Sequence, residues 1–220
     1  MDVEIALLKK SVASPCEKCV AGITFVSGKI EGKEVCVAKC NPGKVNAALC
    51  TQLMIDLYAP EQIINLGIGC SLSSDVVIKD VVIANEVCQY DIDSTCVGDP
   101  LGFISGLNII KIETDSTLSN ALMKSAKSCG CRAHLGCIAS GDTFVATQQL
   151  KDEIADEFGA ICGEMEGGAI GHVCFVNSVA FAVLRTVSDG GDESAQLDYP
   201  VFKEVAADIS SKIILDFLKN

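Results

Sequence analysis

"EMEGGAIGHVCFVNSVAFAVLRTVSDGGDE", residues 164–193, sets a helical pattern directly against a strand pattern. From Glu166 to about residue 177 the apolar residues recur at helical spacing. Then "AFAVLRTVSD" runs apolar without alternation, as a strand buried on both faces does. A helix feeding a fully buried strand is the repeating unit of an α/β domain. The unit recurs outward from here. Strand patterns rich in Val and Ile fall near 21–30, 33–40, 62–68, 75–90, 132–140 and 179–187. Helical patterns fall near 2–12, 44–58, 116–129, 147–158, 166–177 and 200–218. "NPGKVNAALCTQLMIDLYAP" shows the punctuation: Asn-Pro-Gly opens a helical face and Pro60 closes it. "DSTCVGDPLGFISG" is a Gly/Pro-rich loop of the kind that carries function or partner contacts. No repeat or linker interrupts the chain, so one α/β domain over residues 1–220 is expected.

Composition narrows the function. The 220 residues are 49% hydrophobic, enough for a large core, and 29 acidic against 17 basic residues give a net charge of -12. Without a Lys/Arg cluster, a surface that follows nucleic acid phosphates or anionic lipid is not expected. No apolar run reaches membrane-span length, and "MDVEIALLKK" lacks the regions of a secretory signal, so a cytoplasmic protein is expected. Thirteen cysteines include Cys16 and Cys19, Cys36 and Cys40, and Cys129 with Cys131. One CxxC without a second half does not make a zinc site, and most of the others sit in apolar runs as small hydrophobes. Reduced thiols and no metal are expected.

Within 164–193 the polar residues stand out. Asp189 closes the strand, where α/β sheets gather their ligands, although Asp-Gly-Gly is equally good turn material. Arg185 inside an apolar strand needs a carboxylate or a polar cavity, so it is either a structural ion pair or part of a site. Glu166 opens the helix, where an acid favours the positive end. Gly167, Gly168 and Gly171 cost helix stability, roughly 1 kcal/mol each against Ala, which points to close approach of another backbone or a ligand. Met165 adds an apolar wall beside the carboxylate, suited to a sugar. At the other end, "MDVEIALL" forms an amphipathic helix with Asp2 and Glu4 in its first turn, where solvated acids are common.

Together, "EMEGGAIGHVC", "LRTVSD", "SGDTF", "PGKVNAAL" and "MDVEIALL" resemble the 5'-methylthioadenosine/S-adenosylhomocysteine nucleosidases of the nucleoside phosphorylase superfamily, in order and spacing over almost the whole chain. The resemblance implies a three-layer α/β/α fold around a mixed, partly barrel-like sheet. It further implies a cytoplasmic homodimer without cofactor that hydrolyses the N-glycosidic bond of an adenine nucleoside. Asp189 then matches the acid that serves adenine N7, and Glu4 the base that activates water. Glu166 matches the residue that holds the ribose hydroxyls, with Met165 against the sugar. Phe144 matches the residue stacked on adenine, and the Val145 backbone reads the base edge. Ser188 orients Asp189, Arg185 helps place the water and the carboxylates, and Met1 and Tyr199 line the 5' pocket. The candidate substrates are methylthioadenosine, S-adenosylhomocysteine and 5'-deoxyadenosine.

The sequence also departs from the pattern. "NLGIGCS" puts Ile68, Cys70 and Ser71 where the family has a hydroxyl residue and Gly-Gly, and Pro42 and Val97 replace larger apolar residues of the 5' pocket. The family's apolar strand before the Met that matches Met1 has no counterpart. The expectation is a start codon assigned too late, or a trimmed homologue. Two other functions remain: a purine nucleoside phosphorylase, and a nucleoside-binding homologue without catalysis. A phosphorylase needs cations for phosphate, yet the only arginines are Arg132 and Arg185, which favours hydrolysis.

Overall fold

The computed structural model describes the backbone of residues 2–220 and side chains from residue 5 onward. Met1 and the Glu4 side chain, both expected at the site, lie outside the described residues. The elements run α1 (Asp2–Ser11), β1 (Ala13–Val20), β2 (Ile23–Ile30), β3 (Lys33–Ala38), α2 (Lys44–Tyr58), β4 (Gln62–Ser71), β5 (Val81–Gln89), β6 (Lys111–Glu113) and α3 (Ser116–Ser128). They continue with β7 (Ala133–Ser140), α4 (Gln148–Phe158), β8 (Ala160–Glu164), α5 (Gly167–Asn177), β9 (Ala180–Asp189) and α6 (Ala195–Lys219).

Six strands form one mixed sheet in the order β6-β5-β7-β8-β4-β9, and β9 also pairs antiparallel with β5. That last pairing closes β5, β7, β8, β4 and β9 into a ring, the barrel-like centre expected for an α/β/α fold. β9 is hydrogen-bonded along its length to β4 and for three residues to β5, and nine of its ten residues are buried. This is why its sequence is apolar throughout rather than alternating.

Helices cover the ring. α5 lies over β5 and β9 in one apolar cluster with Val87, Phe181 and Val183. α3 and α6 cover another part of it through Leu118, Leu122 and Ile213. The strand β1 and the short β6 and β8 have no counterpart in the sequence reading. β1, "ASPCEKCV", is an exposed edge strand, so it carries no apolar face to read. The expected strand over 75–90 begins only at Val81. Ahead of it Asp80 accepts from the Val77 N–H at 3.1 Å and shapes a turn.

The antiparallel sheet β1-β2-β3 stands apart from the ring. A groove of about 830 Å3 separates β3 from the first half of β4, lined by apolar residues that include Val35, Val37, Ile64 and Leu66.

Candidate active site

Where β8 and β9 end and α5 begins, a cavity of about 130 Å3 opens. Eight of the ten expected site residues line it: Asp189, Glu166, Met165, Phe144, Val145, Ser188, Arg185 and Tyr199. They come from four separate segments of the chain, brought together by the ring. The other two are Met1 and Glu4.

Asp189 is 2% exposed. Its carboxylate accepts from the Ser188 hydroxyl at 2.8 Å and from the Gly191 N–H at 3.1 Å. The turn-forming reading of this residue holds, since one oxygen shapes the Asp-Gly-Gly turn, and the side chain also walls the cavity. Burial pushes its pKa above the ordinary carboxylate range, against the lowering pull of those two bonds. An aspartic acid placed this way keeps a proton to give at a higher pH than a solvated one.

Glu166 opens helix α5 as its N-cap residue, as the sequence suggested, but its carboxylate does not serve the helix end. Its side chain makes no capping bond and reaches across to accept from the Gly43 N–H at 3.1 Å, on the turn before α2. The helix end belongs to Glu164, which the sequence reading left without a role. Glu164 accepts from the Gly167 N–H at 2.9 and 2.8 Å and from the Glu166 N–H at 2.9 Å. It also binds the Ser140 hydroxyl and the Arg185 guanidinium. Ser140 in turn accepts from the Gly168 N–H at 2.6 Å. The signal in the sequence was the Glu-Met-Glu spacing. At a strand-to-helix junction it sends one carboxylate under the helix and the other over the cavity.

Arg185 is 1% exposed, forms the structural ion pair that its burial demanded, and also lines the cavity. It is paired with Glu164, lies 3.6 Å from Glu166, and donates to Asn65 at 2.5 Å. Three charged groups thus share one buried wall, one positive and two negative. Burial first, then repulsion from Glu164, raise the Glu166 pKa, with Arg185 opposing.

Gly168 and Gly171 prove to be packing residues. A Cβ on Gly168 would sit 2.7 Å from the Cys88 carbonyl and 3.0 Å from the Ser140 hydroxyl; one on Gly171 would meet Val87 at 2.8 Å. Without them α5 could not lie on β5, and Glu166 would not reach the cavity.

At the mouth, Phe144 and Tyr199 pack edge to face, centroids 5.5 Å apart, and Phe144 remains 43% exposed. Of the departures, Pro42, Ile68 and Cys70 line the cavity, whereas Val97 is 78% exposed and is not part of its wall. Ser71 is turned away to the carbonyls of Ser73 and Val76, each at 2.7 Å. Arg132 lies elsewhere, donating to the Asp75 carbonyl at 2.8 Å. His134 pairs with Asp80 at 2.9 Å, and His172 packs beside Gln89. All thirteen cysteines are free, and no three metal-binding side chains cluster among the described residues.

Comparison with known proteins agrees with this geometry. The family model described as "Phosphorylase superfamily" matches residues 1–219. A 5'-methylthioadenosine/S-adenosylhomocysteine nucleosidase of Halalkalibacterium halodurans is 35% identical over 98% of this chain and 93% of its own. The crystal structure of the Neisseria meningitidis nucleosidase, in complex with methylthio-immucillin-A, superposes with a TM-score of 0.96 at 30% identity, covering 100% of this chain and 95% of that one. A structure of Helicobacter pylori futalosine hydrolase gives 0.94 at 33% identity, covering 99% and 93%. With its ring of strands, its Glu-Met-Glu junction and its strand-terminal Asp189, this chain belongs to the phosphorylase superfamily and, within it, to the 5'-methylthioadenosine/S-adenosylhomocysteine nucleosidase family.

Proposed function

We propose that this chain hydrolyses the bond between adenine and ribose in 5'-methylthioadenosine and S-adenosylhomocysteine, releasing adenine and a 5-substituted ribose. The observation that carries the proposal is the pairing of two carboxyl groups of opposite duty across one small cavity. Asp189 is held by Ser188 and Gly191 with a raised pKa, and Glu166 lines the same cavity beside Arg185.

In this reading Asp189 shares its proton with adenine N7, so the base leaves neutral. As the bond breaks, positive charge grows on the ribose. Glu166 accepts hydrogen bonds from the ribose hydroxyls, and its charge stabilises that cation. The exposed face of Phe144 stacks on the base, the Val145 backbone bonds its edge, and Met165 packs on the sugar. Tyr199 and Met1 close the pocket around the 5' group. Glu4 takes the proton of the attacking water, which Arg185 helps to place. A pair of carboxyl groups on either side of a glycosidic bond divides the work in the same way in sugar hydrolysis.

A phosphorylase would need a cation for its phosphate. Arg185 is the arginine at the cavity, and it is already matched by Glu164 and Glu166. Hydrolysis follows from that charge count. The whole of 1–220 acts as one domain in the cytoplasm, as a homodimer. Val45, Leu49, Phe175 and Val176, all exposed on the neighbouring helices α2 and α5, supply an apolar face for a second copy.

The deciding experiment is adenine release from methylthioadenosine, S-adenosylhomocysteine, 5'-deoxyadenosine and futalosine, with and without phosphate. Release independent of phosphate supports hydrolysis. Release that needs phosphate makes the chain a phosphorylase. Thermal stabilisation by methylthioadenosine without release makes it a binding protein. Sedimentation at micromolar concentration tests the dimer.

A further inference from the structure

We propose that Glu164 is a positioning residue for catalysis: by holding Arg185 from below, it keeps the charge of Glu166 free for the ribose cation. This rests on the nucleosidase reading of the same cavity.

The argument begins with a charge count. Arg185 has two carboxylates within reach. Glu164 binds its guanidinium directly, whereas Glu166 stands 3.6 Å away. A buried guanidinium that had only Glu166 as partner would close on it, because an unpaired buried charge is costly. Glu166 would then be neutralised by a neighbour instead of by the transition state. Glu164 removes that competition. Its own side chain is 1% exposed and cannot touch substrate as a second ribose ligand, since its oxygens are occupied. They are taken by the N–H groups of Glu166 and Gly167, by Ser140 and by Arg185. The same bonds tie the guanidinium to the first turn of α5, so the position of Arg185 and the direction of Glu166 are fixed by one side chain.

Among the described residues the groups facing Glu166 are few. Glu164 comes from β8, Arg185 from β9, the Cys40 thiol and the Gly43 amide from the connection between β3 and α2, and Tyr199 from α6. Among these, Glu164 is the carboxylate, so removing its charge has one direction. Repulsion on Glu166 falls and the pull of Arg185 grows, and Glu166 then holds its proton less tightly.

The test is Glu164→Gln in the full chain, compared with the unaltered protein. Carboxyl carbon NMR of glutamate-labelled protein reads the Glu166 titration whether or not the chain turns over, so it stands if the nucleosidase reading fails. The expected result is a Glu166 midpoint moved to lower pH. In adenine release, kcat should fall roughly 10²-fold, the size seen when one preorganised electrostatic contact is lost, with little change in KM. The acid limb of the pH profile should move down with the NMR midpoint. A second pair of proteins covers misfolding, which near-UV circular dichroism would reveal. Adding Glu164→Gln to Arg185→Gln should cost little more than Arg185→Gln alone, because there is no guanidinium left to divert. An unmoved Glu166 midpoint, or the same loss in both backgrounds, would show that Glu164 only caps the helix and would overturn the proposal.

Discussion

Asp189 is stabilised by two hydrogen bonds and still holds its proton more tightly than a solvated aspartate, because burial outweighs both. That has a consequence for stability as well as for catalysis. A carboxyl group whose folded pKa lies above its unfolded value of about 3.9 favours the fold at low pH, and that contribution is lost as pH rises through the folded value. At neutral pH the charged, buried Asp189 therefore weighs against the fold. Asp189→Asn should raise the melting temperature at pH 7 by about 2–4 °C, the change that roughly 1 kcal/mol produces in a chain of this length. The gain should vanish below about pH 4, where both states of the parent are protonated. The same variant should lose adenine release by roughly 10²–10⁴-fold, the usual worth of a general acid. A variant that is both less active and less stable would contradict this account. Asp189 and Arg185 were legible in the sequence because each is polar where its strand is apolar. Glu164 was not. The spacing marks both glutamates of Glu-Met-Glu, but only the three-dimensional junction shows which one lies under the helix.

Helix α5 illustrates how an element can be poor by its own propensities and still be well placed. Its glycines lower helix stability, yet they let it lie so close to the ends of β5 and β7 that Gly168 gives its N–H to Ser140 of β7 at 2.6 Å. Gly168→Ala should destabilise the protein by about 1–3 kcal/mol, the cost of one methyl forced into a full contact. It should also weaken nucleoside binding, because lifting the helix moves Glu166 away from the Gly43 amide. Calorimetry and a binding titration on one preparation check both; a fully stable variant with unchanged affinity would refute the packing argument. Elements were legible where burial writes a pattern. β9 and β4 are apolar, and α3 opens on Asp115, whose side chain accepts from the Leu118 N–H at 2.9 Å. β8 has five residues, too few to show a period, and β6 has three. Helix α6 begins at Ala195, earlier than expected, because Pro200 is carried inside it rather than marking its start.

For the molecule as a whole, the closure of five strands into a ring was implied by resemblance and could not be drawn from periodicity. Closure depends on the pairing of Val81, Val82 and Ile83 with Thr186, Arg185 and Leu184, partners about a hundred positions apart in the chain. The groove beside β4 has its own effect. Because it separates the three-stranded sheet from the ring, the two are buried in different apolar clusters. Ile23, Phe25 and Cys50 form a small one, and Val12, Val26 and Ile30 another, joined to the large clusters around the ring through half-buried residues such as Val37, Leu215 and Cys40. Weakly joined clusters open separately. In deuterium exchange the amides of β1–β3 should therefore label through a partial opening, at denaturant concentrations where β9 and β5 still label only by global unfolding. Equal protection throughout would show a single cooperative unit. The segment carrying Gly43 leaves from the end of β3, but Gly43 is the N-cap of α2, whose Ala47 is buried in the large cluster around the ring. The amide that steadies Glu166 is thus fastened on the ring's side of the divide, and a partial opening of β1–β3 leaves that carboxylate aimed as before.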